Sequence, residues 1–213
     1  MRSLFRLVAA TLGFLAIAVQ YGLGVLGPKG ATLADWTVNY FSYFTILTNV
    51  VAAIAMLLPV IAPGTWAGRL LARPSSRTII ACHIIIVGAV YILLLRNTWE
   101  PKGWQLIADR VLHYVTPVLF VIDWLLFVPK GEVPWRTLSS SLILPGVYLV
   151  WTLVHGAVAG WYPYPFIDAA KLGYLKVIAN MAGLSCAFVV VTLLLVLADR
   201  WIAAHRLRAH RAS

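Results

Sequence analysis

Few side chains in this sequence can do chemistry, and three short helical patterns carry most of them. Thr45, Thr48 and Asn49 are spaced i, i+3 and i+4, which puts them on one face of a helix. His113, Thr116 and Pro117 share a second face, and Tyr148, Trp151, Thr152 and His155 a third. A hydroxyl beside an imidazole suits nucleophilic acyl transfer, because threonine is a weak nucleophile until a base takes its proton. In that chemistry Thr45 attacks an ester carbonyl. His113 accepts the hydroxyl proton and returns it to the leaving alcohol, and Asn49, Asn97 or His155 donates to the developing oxyanion. Spacing alone does not choose between Thr45 and Thr48. Pro117 has no N–H for the carbonyl of His113, four residues back, so the helix is expected to open there and admit a polar partner.

Composition sets the elements that must hold these residues. The chain has 62% apolar and 11% charged side chains and a mean hydropathy of +0.87, whereas soluble domains carry about 25% charge. With Gly at 15, Pro at 11 and Cys at 2, a disordered tail, a collagenous repeat and a disulfide scaffold are excluded. A helix needs about 20 apolar residues to cross the hydrocarbon layer. Six such stretches are present, near Leu4 to Leu26, Tyr40 to Ile61, Thr78 to Leu95, Val111 to Val128, Leu138 to Val158 and Tyr174 to Ala198. Turn-prone connections, among them Gly27-Pro28-Lys29-Gly30 and Pro129-Lys130-Gly131, separate them. The expected fold is an all-α, six-span polytopic membrane protein: one transmembrane domain over 1–213, with a basic tail from about 199–213. Ala16-Ile17-Ala18 resembles a signal-peptidase site, but the apolar run continues to Gly27, so the segment is read as a helix.

The basic residues are unequally shared. Arg2, Arg6, Arg69, Arg73, Arg77, Lys130, Arg136, Arg200, Arg206, Arg208 and Arg211 fall on the side of the termini, against Lys29, Arg96, Lys102, Arg110, Lys171 and Lys176 on the other. The positive-inside rule therefore places both termini in the cytoplasm. That asymmetry accounts for the net charge of +10 without a nucleic-acid partner, and the tail can touch anionic lipid.

With that orientation, Thr45, Asn49, Asn97, His113 and His155 fall within about two turns of the outer boundary, beneath Trp161 and Asp168. Asp168 and the outer-layer amides are expected to support the site. Trp161 to Phe166 is an aromatic stretch that serves either as a lid or as an interfacial anchor. His83 and Asp123 lie deeper toward the inner side and are expected to pair. Cys82 and Cys186 fall inside spans and receive no role. An ester in a membrane lipid lies near the interface, so the partners expected are the bilayer and a lipid or fatty acyl ester. No cofactor or metal is required. Two other classes stay open: a haem protein using His113 and His155, and a non-enzymatic transporter or scaffold.

Tyr43-Phe44-Thr45-Ile46-Leu47, then Leu112-His113 with Pro117 and Asp123, then Val154-His155-Gly156 and Trp161 leading into Tyr164-Pro165-Phe166-Ile167-Asp168, together resemble the androgen-induced and androgen-dependent membrane threonine hydrolases. The chain is most similar to a bacterial branch of six-span membrane proteins in that family. The resemblance implies cleavage of fatty acid esters of hydroxy fatty acids, with Thr45 as nucleophile and His113 as the essential histidine. It also implies residence in a bacterial inner membrane.

Overall fold

The structure, a computed structural model, describes residues 1–27 and 32–212, with side chains of the last helix described as far as 208. Most of the expected Gly27-Pro28-Lys29-Gly30 turn and the Arg211 side chain lie outside the described residues. Among the described residues the regular elements are all helical. In order they are α1 (Arg2–Leu26), α2 (Leu33–Phe41), α3 (Phe44–Ile61), α4 (Trp66–Ala72), α5 (Pro74–Val90), α6 (Trp104–Arg110), α7 (Thr116–Phe127), α8 (Thr137–Ser140), α9 (Ile143–Ala159), α10 (Ala169–Leu172) and α11 (Tyr174–Ala212). A π-turn, Tyr91–Leu95, prolongs α5, and a second, Val111–Val115, joins α6 to α7. Six helical stretches are long and apolar enough to span a membrane: Arg2–Leu26, Phe44–Ile61, Pro74–Leu95, Trp104–Phe127, Thr137–Ala159 and Tyr174–Arg208.

The third span starts earlier, at Pro74, and the sixth runs further, to Arg208, than the sequence reading has them, and two other boundaries bear on the candidate site. The second span begins at Phe44 rather than Tyr40, because α2 is a helix of its own. A reciprocal Thr32–Asp35 capping box starts it, and it stops at Ser42, whose N–H bonds the carbonyl of Asn39. Neither Gly nor Pro marks this break, so apolar composition ran across it. The fourth span begins at Trp104 rather than Val111, with Asp109 inside it and fully buried. Tyr91 donates to one oxygen of this carboxylate, and His113 Nδ1 lies 3.1 Å from the other.

Small residues bring α1 against α3. Ala9, Ala10 and Ala16 of α1 are buried, as are Ala52, Ala53 and Ala55 of α3, and a Cβ on Gly13 would stand 3.4 Å from that of Ala53. Such interfaces gain van der Waals contact that lipid tails alone do not supply. The main core gathers Phe120, Trp124, Ile84 and Phe188 from α7, α5 and α11. A second cluster, Ile17, Tyr40, Ile46, Ala108 and Leu112, fixes α1, α2, α3 and α6 around the candidate site.

The expected His83–Asp123 pair does not form. Asp123 Oδ1 receives Arg6 Nε at 2.6 Å and Oδ2 receives Arg6 Nη2 at 3.2 Å, and Arg77 Nη2 lies 3.2 Å from the same Oδ2. His83 Nε2 instead meets the carbonyl of Ser141 at 2.8 Å, and its ring packs edge-on against Phe44 and Phe188. A buried carboxylate gains more from a fixed guanidinium fork than from one imidazole nitrogen. The guanidiniums come from α1 and α5, elements whose approach to Asp123 no local spacing reveals.

Candidate functional site

Thr45 lies in the first turn of α3, where backbone N–H groups have no partner within the helix. Its N–H donates to the Tyr164 hydroxyl at 3.2 Å, and its own hydroxyl lies 3.2 Å from the same oxygen. Tyr164 is thus a side-chain cap delivered from the distant 161–166 segment. Burial pushes its phenol up to about 12, so the group is a neutral donor at ordinary pH. Tyr43, just before α3, is also shifted upward by burial and packs edge-on against Trp161 and Tyr164. The aromatic stretch therefore folds over the start of α3, with Tyr164 turned inward and 8% exposed.

The structure separates the two threonines that spacing could not. Thr48 donates its hydroxyl to the carbonyls of Phe44 at 2.8 Å and Thr45 at 3.1 Å. It is buried inside the helix packing and lines neither of the cavities described below. Asn49 is spent structurally as well: its amide nitrogen donates to Thr45 O at 2.8 Å and to Leu112 O at 3.2 Å. The opening expected near Pro117 is present as the Val111–Val115 π-turn, and the polar group that enters is Asn49, at the carbonyl preceding His113.

His113 sits in that π-turn. Its Nδ1 lies 2.9 Å from the backbone carbonyl of Asp109, the better-aligned partner, and 3.1 Å from Asp109 Oδ1. Tyr91, from the other π-turn, stacks on the imidazole with centroids 3.9 Å apart and planes 18° apart, and its hydroxyl donates to Asp109 Oδ2. A Cβ on Gly88 would stand 3.1 Å from the His113 carbonyl, so glycine lets α5 approach this turn closely. Sequence reading missed Asp109 and Tyr91. The i, i+4 spacing of Asp109 and His113 was the available signal, hidden because Asp109 seemed to precede the span.

Thr45 and His113 do not hydrogen-bond directly, but both line one cavity of about 580 Å³. Its wall includes Gln20 and Gly24 of α1, Trp36 and Tyr40 of α2, Gln105 and Asp109 of α6, Tyr91, Trp99 and the Pro163–Pro165 segment. That volume suits an organic ligand, since small-molecule sites commonly enclose about 300–1,000 Å³. A narrower cleft of about 40 Å³ lies on the other side of Thr45, lined by apolar side chains including Val87, Val90, Met181, Leu184 and Phe188. Thr45, Tyr164 and Leu95 belong to both walls.

The other expected residues lie apart. Asn97 is exposed beyond the end of the Tyr91–Leu95 turn. His155 Nε2 meets Asn39 Oδ1 at 2.9 Å, with its ring stacked on Trp151. Asp168 caps α10 through the N–H of Lys171 and ion-pairs with the Lys171 ammonium at 2.8 Å. Those hydrogen bonds hold its carboxyl below the ordinary range. None of Asn49, Asn97, His155 and Asp168 lines either cavity. Among the described residues no cluster of three His, Cys, Asp or Glu side chains is arranged to hold a metal ion. Comparison with known proteins finds no matching family model, curated protein or solved structure.

Proposed function

We propose that this protein is an intramembrane hydrolase of fatty acyl lipid esters, with Thr45 as nucleophile and His113 as general base and acid. The observation that carries this reading is the shared cavity, onto which a threonine hydroxyl and a buried imidazole both open. His113 Nδ1 is occupied by Asp109, and the imidazole forms part of the cavity wall.

In the reaction, His113 Nε2 takes the Thr45 proton as Oγ1 bonds to the ester carbonyl carbon. Collapse of the tetrahedral adduct breaks the bond to the alkoxy oxygen, which leaves with that proton as the free alcohol. Water, deprotonated in turn by His113, then releases the fatty acid and restores Thr45. The neutral Tyr164 hydroxyl, already beside Oγ1, is the donor best placed for the oxyanion. The larger cavity, lined by apolar and aromatic side chains together with Gln20, Gln105, Asp109 and His113, is the one with room for a lipid ester. The resemblance to membrane threonine hydrolases favours the same assignment of Thr45 and His113. The excess of Lys and Arg on the side of the termini favours a cytoplasmic location for them and an outer-leaflet location for the site, and the resemblance favours a bacterial inner membrane.

The test is labelling of the purified protein by a fluorophosphonate probe. Wild type and Thr48→Ala should label, whereas Thr45→Ala and His113→Ala should not. A well-folded wild type that resists the probe and hydrolyses no fatty acyl ester overturns the proposal.

A further inference from the structure

We propose that Asp109, fixed by Tyr91, is the positioning carboxylate for His113, so that the site works as a Thr45–His113–Asp109 relay with a tyrosine behind it. This rests on the hydrolase reading above and adds to it two residues that do not stand in the pattern from which that reading began.

Asp109 is fully buried inside a membrane-spanning stretch, a costly place for a carboxylate. Two side chains meet it. The Tyr91 hydroxyl donates to Oδ2, and His113 Nδ1 lies 3.1 Å from Oδ1. Among the described residues Oδ1 accepts no hydrogen bond: His113 Nδ1 stands near it as an ion-pair contact, while its hydrogen bond goes to the Asp109 backbone carbonyl. With two oxygens of Asp109 facing Nδ1, one from the backbone and one from the side chain, the proton of neutral His113 belongs on Nδ1. That leaves Nε2 as the free base that must receive the Thr45 proton. Once Nε2 has taken it, the ring is an imidazolium, and Asp109 stabilises that charge without taking a proton itself.

The backbone carries an independent sign of the same assignment. Tyr91 and His113 each sit in a single π-turn, Tyr91–Leu95 and Val111–Val115. Such turns are uncommon and concentrate at functional sites, because the extra residue re-aims side chains at some cost in helix geometry. Here two of them face each other across the close approach at Gly88 and present a stacked Tyr91–His113 pair above one carboxylate. Packing alone has no need of this arrangement, since an apolar pair would fill the volume without burying a charge.

The experiment uses full-length protein in detergent micelles. First, fluorophosphonate labelling and ester hydrolysis are measured for wild type, Asp109→Asn, Tyr91→Phe, His113→Ala and the double variant Asp109→Asn/His113→Ala. Asp109→Asn should lower kcat by about 10²–10⁴-fold with little change in KM, as loss of a positioning carboxylate does. Tyr91→Phe, which removes only the hydroxyl, should lower kcat by a smaller factor. The double variant should be no slower than His113→Ala alone, because Asp109 acts only through that ring. Second, the nitrogen-15 resonances of His113, assigned by their loss in His113→Ala, should report the proton on Nδ1 in wild type and a mixture of tautomers in Asp109→Asn. This readout does not depend on activity. Normal labelling with an unaltered tautomer in Asp109→Asn overturns the inference and leaves the hydrolase reading intact. An inactive wild type overturns the hydrolase and the relay with it, even if the tautomer is as described. Should Asp109→Asn fail to fold, Tyr91→Phe decides by the same two measurements.

Discussion

Tyr164 reaches across 119 positions of sequence to place its hydroxyl 3.2 Å from both the backbone nitrogen and the hydroxyl of Thr45. One tyrosine thereby caps the start of α3 and fixes the side chain that faces two cavities. The 161–166 stretch is accordingly more than an interfacial anchor, since its inward tyrosine forms part of the wall around Thr45.

Tyr164→Phe should lower kcat by about 10²–10³-fold if the hydroxyl serves the oxyanion, with Thr45 still labelled slowly by the probe. The pH dependence has a defined sign. Because burial raises this phenol from 10.0 to about 12, its donor role is constant through neutral and mildly alkaline pH and is lost as pH rises toward about 12. The folded form holds its proton where the unfolded chain would release it, so stability falls as pH climbs through that same interval. Kinetics and thermal melting of wild type against Tyr164→Phe across this range check both statements.

Thr45→Ser should retain a substantial fraction of activity, because the hydroxyl and its position survive, whereas Thr45→Ala should abolish hydrolysis. Thr48→Ala should leave kcat/KM within a few-fold of wild type and cost about 1 kcal/mol in stability, the usual size of one intramolecular hydrogen bond. Equal loss of hydrolysis in Thr45→Ala and Thr48→Ala would mean that the α3 turn, rather than one hydroxyl, is what matters.

Asn49→Leu should destabilise the protein by about 1–3 kcal/mol, because it leaves the buried Leu112 carbonyl without its donor. The same change should loosen the π-turn that carries His113 and reduce activity beyond the loss explained by unfolding. Thermal melting in detergent, followed by kinetics well below the transition, distinguishes the two effects.

Asp123→Ala should be the more damaging change at the far end of the bundle, costing about 3–5 kcal/mol by leaving Arg6 and Arg77 buried without their counter-charge. Arg6→Ala removes only one guanidinium and should cost less. His83→Ala should not couple to Asp123→Ala in a double-mutant cycle, since the two residues share no contact. Chemical or thermal unfolding of wild type, Arg6→Ala, Asp123→Ala, His83→Ala and the His83→Ala/Asp123→Ala double variant in one detergent provides the comparison.

Hydropathy alone determined that the chain is helical and carries six helices long and apolar enough to cross a membrane, because lipid leaves backbone groups no partners outside the helix and so forces long apolar runs. Residue type and i, i+4 spacing also marked Thr45, Thr48, Asn49 and His113, since a helix brings such neighbours to one face whatever its surroundings. Which of them share a cavity is a matter of how helices pack, and that rests on distant small residues and buried contacts with no local trace. Only the tertiary structure spent Thr48 and Asn49 on backbone carbonyls, drew His155 to Asn39, and matched Asp123 with Arg6 and Arg77. It also set Tyr91 and Asp109 around His113, because the stacking and hydrogen bond that join them link residues of different helices.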